Sequence, residues 1–474
     1  MNWPLVLNSF LVSGAAASLA VIGGALAALW FACLEERRRV VFLAAAIAAL
    51  ALPPFLVVNC WIDLLGEKGR WRHWLPVNIY SLGGAIWVLA LLYWPIAFLF
   101  VTAVWRRVRA AQLEVDLRLE GRFLLRFLLL PMARGDMARA AILTLVLALN
   151  NFAVPAILQV KVFPAEVWVR FNTTFDYGAA LELSWPLVLA PLLLVLCLRG
   201  GGTAWSWQSH PAAARAIRRQ LGAAWRRSGA LAALLLVGFS LGVPLWQLAG
   251  NGETWRQLWP AVAAGQSAIF HSVLFAAVSA TLVVALALLT WRRPLGLALW
   301  LPFFMPGVLL GIGLIWVFNR RGLTAFYQSS AIVFLAYVVR YAALGWNTVA
   351  RALRSGDPTL VDLARLEGAS AWQILRHIHW PQIAAQIGAA WYVTYLLCLW
   401  DVETLVLIVP PGGESLSLRV FNLLHYGHNP QVNALCLLLL VLALLPLPVG
   451  MALQNFNSSR QERQDAGGGE IAGS

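Results

Sequence analysis

Long apolar runs separated by short polar interruptions dominate this chain, and eleven of them approach the roughly 20 residues needed to cross a hydrocarbon core. They lie near 8–32, 40–61, 78–104, 138–159, 179–198, 229–249, 268–290, 295–318, 329–350, 384–408 and 431–453. The pattern predicts an all-α fold, a polytopic bundle of transmembrane helices. No basic leader precedes the first run, and Glu35-Glu36-Arg37-Arg38-Arg39 follows it, so it reads as a retained helix.

Composition agrees. Of 474 residues, 61% are hydrophobic and 12% charged, against about half and a quarter in soluble domains. The net charge of +14 is carried by arginines in short loops, with only Lys68 and Lys161 as lysines. That distribution fits membrane topology better than a nucleic-acid partner. The loops at 33–39, 105–137, 199–228, 291–294 and 351–383 and the tail after 454 hold most of the basic residues. Cytoplasmic loops retain arginine and lysine, so the N-terminus is predicted outside and the C-terminus inside. Cys33, Cys60, Cys197, Cys398 and Cys436 show no metal-ligand spacing, so neither a disulfide framework nor a metal site is expected.

Two stretches recur. Asn8-Ser9 and Ala17-Ser18-Leu19 align with His271-Ser272 and Ala280-Thr281-Leu282, and Phe171-Asn172 aligns with Phe421-Asn422. Agreement at both ends of one unit argues against chance similarity of apolar runs. Five spans, one connecting span and five spans then give two parallel halves about a pseudo-two-fold axis, unlike inverted-repeat transporters. The expected division is a first permease half at 1–228, a second at 229–455 and a disordered cytoplasmic tail at 456–474.

The polar interruption at 357–381 is the most informative. Asp357-Pro358 is a helix start, Gly368 a stop, and Ser370 a cap for a second short helix that Pro381 ends. Two amphipathic helices bent at Gly368 are predicted, a pattern that also suits a segment lying in the interface. His377 and His379, at i and i+2, do not share a helix face and chelate poorly.

The segment resembles the EAA loop of binding-protein-dependent ABC importer permeases. Asp362 stands at the Glu position, Leu363 and Ala364 at the Ala positions, and Gly368, Ile378 and Trp380-Pro381 at the Gly, Ile and Leu-Pro positions. The resemblance implies that Asp362, Ala364, Glu367, Gly368, Ser370, Ile378 and Pro381 couple to a cytoplasmic ATPase. A poorer copy lies at 112–131, with Glu114, Asp116, Glu120, Gly121 and Pro131, and its Gly-to-Pro spacing is shorter.

The chain has no phosphate loop, and Gly200-Gly201-Gly202-Thr203 lacks the required Lys. The resemblance therefore implies a transporter subunit and not an enzyme. No cofactor is expected on this chain. ATP and Mg²⁺ would sit on two copies of a separate ATPase, and a periplasmic solute-binding protein would dock on the outer loops at 62–77, 160–178 and 409–430. The setting implied is a bacterial inner membrane, with lipid and no nucleic acid as further partners. Resemblance to fused ferric-iron and thiamine importers makes ferric iron the first expectation for cargo. An ion-coupled secondary transporter is the alternative.

Polar residues within spans are costly and face a bundle interior or a water-filled path. Asn150 and Asn151 follow Pro131 by the same distances at which Trp400 and Asp401 follow Pro381, with Glu403 just beyond. Together with Arg340 they are candidates for the translocation path, for intramembrane pairing, or for both.

Overall fold

The computed structural model describes residues 3–108, 112–113, 119–174, 178, 189, 211–293, 295–354, 358–425 and 429–447. Every regular element among them is helical. The first half opens with α1 (Trp3–Ala32). The second apolar run is not a straight span: it divides into α2 (Glu36–Ala51) and α3 (Pro54–Leu65), bent by 87°. A proline pushes the residue before it out of the helical region, and Leu52, ahead of Pro53 and Pro54, is extended at ψ 136°. α4 (Leu82–Trp105) is capped by Ser81, whose hydroxyl accepts the Gly84 N–H at 3.2 Å. After it come α5 (Leu130–Asn150), the short α6 (Ala153–Ile157) and α7 (Phe163–Thr174).

A connector follows. It comprises α8 (Pro211–Gln220), then α9 (Gly222–Val237), which runs through a π-turn at Gly238–Gly242 into α10 (Val243–Gly250), and α11 (Gly252–Ala264).

The second half repeats the order of the first. Its elements are α12 (Gln266–Thr290), α13 (Gly296–Phe304), α14 (Gly307–Phe318), α15 (Ala331–Arg354), α16 (Pro358–Leu366), α17 (Trp380–Trp400), α18 (Leu405–Ile408), α19 (Leu416–His425) and α20 (Asn429–Leu444). The pair α13 and α14 is bent by 109° at Met305-Pro306, where Met305 also has ψ 136°. α4 and α15 are both 24 residues long, and α5 and α17 both 21. α1 packs on α4 and α5, as α12 packs on α15 and α17. Ser9 accepts the Phe163 N–H at 2.8 Å in one half, and Ser272 accepts the Leu416 N–H at 2.7 Å in the other.

The described residues account for part of the expected eleven spans. Among the described residues, six helices are long and apolar enough to cross a membrane, or up to eight if each bent pair is one span. α5 falls short because Arg134, Asp136 and Arg139 lie in its first half and the helix breaks at Asn151. α20 has 16 described residues. The run at 179–198 and the tail at 456–474 lie outside the described residues, apart from position 189.

One apolar core crosses between the halves. Phe152, after α5, packs against Phe421 of α19 with ring centroids 5.3 Å apart. Asn59 of α3 donates from Nδ2 to Asn433 Oδ1 of α20 at 2.6 Å, with both residues fully buried. The connector helix α9 lies against α1 of the first half.

Candidate functional site

The most polar buried cluster lies where α17 ends. Asp401 leaves the helix in an extended conformation, φ −73° and ψ 103°. Its Oδ1 then accepts the Thr404 N–H at 2.9 Å and starts α18, the local bond for which short acidic side chains are favoured at helix starts. Arg340 reaches this carboxylate from α15. Its Nη1 lies 3.0 Å from both Asp401 oxygens, and its Nη2 lies 2.7 Å from Glu403 Oε2. The Arg340 side chain is 9% exposed and that of Asp401 1%, so the pair is nearly free of solvent screening.

Further bonds complete the cluster. Tyr341 Oη donates to Asp401 Oδ2 at 2.9 Å, Tyr337 Oη to the Asp401 carbonyl at 3.2 Å, and Thr404 Oγ1 to Asp401 Oδ2 at 2.7 Å. Gly307, the first residue of α14, lies against the guanidinium; a Cβ there would collide with Arg340 Nη1 and Cζ and with Glu403 Cβ. Glu403 also crosses to the other half: its Oε1 accepts the Phe152 N–H at 2.8 Å.

The first half builds an uncharged counterpart. Asn151 leaves α5 at φ −70° and ψ 108°, and its Oδ1 accepts the Val154 N–H at 2.9 Å, as Asp401 accepts Thr404. Its Nδ2 donates to Tyr93 Oη of α4 at 3.1 Å, so each half ties this break to a tyrosine on its 24-residue helix. Asn150 points elsewhere and donates to the Phe304 carbonyl at the end of α13. Asn150, Asn151, Arg340, Asp401 and Glu403 thus converge where the halves meet. Sequence reasoning missed Gly307, Tyr341, Thr404 and Phe152, though Met305-Pro306-Gly307 and the capping spacing of Asp401 and Thr404 were visible signals.

The two segments that resemble the EAA loop form a second locus. In the second half, α16 ends at Gly368, whose φ of +79° favours glycine. Ser370 and Gln373 then cap each other, Gln373 Oε1 accepting the Ser370 N–H at 2.7 Å and Ser370 Oγ the Gln373 N–H at 3.3 Å. The expected second short helix is not separate, and Pro381 does not end it. Helix Ala371–Ile374 runs through a π-turn at Leu375–His379 into α17, with Pro381 in the first turn. The π-turn lets the Trp380 N–H reach the Leu375 carbonyl and absorbs a proline that an unbroken α-helix would exclude.

Asp362 pairs with Arg365 at 3.4 Å on the exposed face of α16. Ala364 accepts the Ala369 N–H with its carbonyl, Glu367 is exposed, and Ile378 lies within the π-turn. Leu360, Leu363, Leu366 and Trp372 are exposed, Leu366 by 85%.

The copy in the first half is built the same way. Gly121 has φ +53°, helix Arg122–Leu124 follows, a π-turn spans Leu125–Leu129, and Pro131 stands in the first turn of α5. The missing residues fall at the capping pair, so the shorter Gly-to-Pro spacing removes a cap and keeps the turn. Here α8 grips the segment: Gly121 donates to the Gln220 carbonyl at 2.8 Å, and Gln220 Nε2 to the Leu113 carbonyl at 2.8 Å. Glu120 is exposed, while Glu114, Asp116 and Asp357 lie outside the described residues.

Residues 289–460 match a family model described as "Binding-protein-dependent transport system inner membrane component". The spermidine/putrescine transport system permease protein PotC of Escherichia coli (strain K12) is 28% identical over 185 residues, 37% of this chain and 69% of that protein. PotC of Haemophilus influenzae is 28% identical over 187 residues, 37% of this chain and 72% of that protein. The putative 2-aminoethylphosphonate transport system permease protein PhnV of Salmonella typhimurium is 27% identical over 195 residues, 41% of this chain and 73% of that protein. These relatives do not support the ferric-iron or thiamine assignment drawn from resemblance. Both the ionic cluster around Arg340 and the segment at 358–381 with its capping pair fall in the region that is similar to this family model.

Proposed function

We propose that this chain is the permease of an ATP-driven importer in which one polypeptide supplies both membrane halves. The observation that carries the reading is the coupling segment built twice, with a left-handed glycine, a π-turn and a first-turn proline in each copy. Two copies of a cytoplasmic ATPase, holding ATP and Mg²⁺, dock on these segments, and a periplasmic binding protein delivers solute from the other side. The π-turns join each segment rigidly to a 21-residue helix, so movement of the segment is passed to Asn151 or Asp401 at its far end.

The cluster at that end acts as the gate. Glu403 bridges Arg340 to the Phe152 N–H, and separating the halves requires this bridge to break. One guanidinium against two carboxylates leaves a net charge of −1 when all are ionised. That charge, and the amine shared by the solutes in the relatives' names, favour a small solute bearing a protonated amine over ferric iron. Proteoliposomes holding the chain, its ATPase and its binding protein test the reading. Solute-loaded binding protein should accelerate ATP hydrolysis and uptake. Uptake that persists without ATP and collapses with a protonophore would instead identify an ion-coupled secondary transporter.

A further inference from the structure

A basic crevice of about 240 Å³ opens where α1 and α2 meet α8 and α9. Arg38, Arg218, Arg226 and Arg227 line it, with Glu35 as the one acid and Trp30 on its wall. Glu35 lies 3.6 Å from Arg218, and both are exposed, so this pair neutralises little of the lining. The crevice is closed on one side by the crossing of α9 over α1. A Cβ on Gly229 would stand 2.9 Å from the Leu26 carbonyl oxygen and 3.1 Å from the Trp30 amide.

Below the arginines the surface is apolar. Leu231 and Leu234 follow Arg227 at i+4 and i+7 on α9, which puts the three on one helix face, and both leucines are more than half exposed. α1 and the continuous α9–α10 helix are both long and apolar enough to span a membrane, so the Arg226-Arg227 end of α9 and the start of α2 just after α1, which carries Arg38, fall at headgroup level. Cationic groups above an apolar track match a phosphodiester above acyl chains, whereas a free phosphate would use only the upper part. The corresponding turn of the second half, Trp291 to Arg293, has no counterpart of α8 or α9 beside it among the described residues. There Arg292 stacks on Trp291, 5.1 Å from the ring centroid.

We infer that this crevice is a binding site for an anionic phospholipid, with Arg38, Arg226 and Arg227 holding the phosphodiester and Leu231 and Leu234 lying along an acyl chain. The site reaches the first coupling segment through α8, because Arg218 lines the crevice and Gln220, two residues on, bonds to Gly121 and Leu113. The inference is independent of the transported solute.

Native mass spectrometry of the purified full-length chain, exchanged into detergent with equal phosphatidylglycerol and phosphatidylcholine, tests it. Wild type should retain phosphatidylglycerol preferentially. The triple variant R38Q/R226Q/R227Q should lose that retention by about tenfold or more, from the usual attraction of each basic residue to an anionic surface. The control R292Q/R293Q should match wild type. If the triple variant does not fold, R38K/R226K/R227K keeps the charge and should keep the preference. No headgroup preference in wild type, or equal retention by wild type and the folded triple variant, would overturn the site. Inorganic phosphate that binds as tightly as the lipid and displaces it would overturn the lipid as its occupant.

Discussion

Glu403 accepts the backbone N–H of Phe152 at 2.8 Å, so an acid of the second half closes a helix break in the first. The same carboxylate pairs with Arg340, which also holds Asp401. The two acids are unequally committed. Asp401 is held by Arg340, Thr404 and Tyr341 within its own half, whereas Glu403 spans the interface.

Substitution should separate these roles. Asp401→Asn removes the carboxylate that meets the buried guanidinium with both oxygens and should cost about 3 kcal/mol or more, the usual effect of stripping one partner from a buried pair. Glu403→Gln keeps an acceptor for Phe152 and leaves Asp401 on Arg340, so it should cost about half as much or less. Its larger effect should be on gating: basal ATP hydrolysis by the reconstituted assembly should rise several-fold without solute. Thermal unfolding followed by tryptophan fluorescence, beside ATPase assays, checks both. Equal destabilisation by the two variants would contradict the division of roles.

Gly307 offers a test that leaves every charged residue in place. An added methyl group would collide with Arg340 and Glu403, so Gly307→Ala should displace the guanidinium and destabilise the chain by about 2 kcal/mol or more. Gly313 lies on the same helix, and a methyl group added there would have nothing within 4 Å, so Gly313→Ala should be neutral or stabilising by up to about 1 kcal/mol. The two melting shifts should have opposite signs or differ by most of this margin. Matching shifts would show that Gly307 does not support the ion pair.

The coupling segments should respond unequally. Gly368 and Gly121 both have positive φ with open space around the missing side chain, so alanine at either position costs backbone strain of about 1–2 kcal/mol. In the second half the strain falls on a segment whose leucines and Trp372 are exposed, the face that the proposed ATPase would cover. In the first half α8 already grips the turn. Gly368→Ala should therefore reduce solute-stimulated ATP hydrolysis more than Gly121→Ala, and Ser370→Ala should reduce it through loss of about 1 kcal/mol of capping. Equal losses from both glycine variants would contradict unequal coupling.

Which parts of this were legible in the sequence follows from the range of the forces involved. Apolar periodicity is local, so α1, α4, α12 and α15 were readable, and the Ser9 and Ser272 alignment marked equivalent bonds in the two halves. The bends at Leu52 and Met305 were overlooked because hydropathy is blind to proline, although the prolines were in plain view. The continuous helix through Pro381 was hidden for a subtler reason: a π-turn changes the bonding pattern without changing composition. Contacts such as Glu403 with Phe152, 251 positions apart, depend on how the halves pack, and no local pattern encodes them.

The buried amides of Asn59 and Asn433 allow a final prediction about the interface. They share one hydrogen bond, while Asn59 Oδ1 and Asn433 Nδ2 have no partner among the described residues. A half-satisfied polar pair contributes little net stability, yet breaking it strands the other amide. Asn59→Leu and Asn433→Leu should each cost about 1–3 kcal/mol, and the double variant less than either. A double-mutant cycle on thermal unfolding measures the coupling. Additive losses would mean that the amides act separately. If the double variant is stable but transports slowly, the pair serves to keep α3 and α20 able to part, because an apolar seam in its place would hold the halves together through the transport cycle.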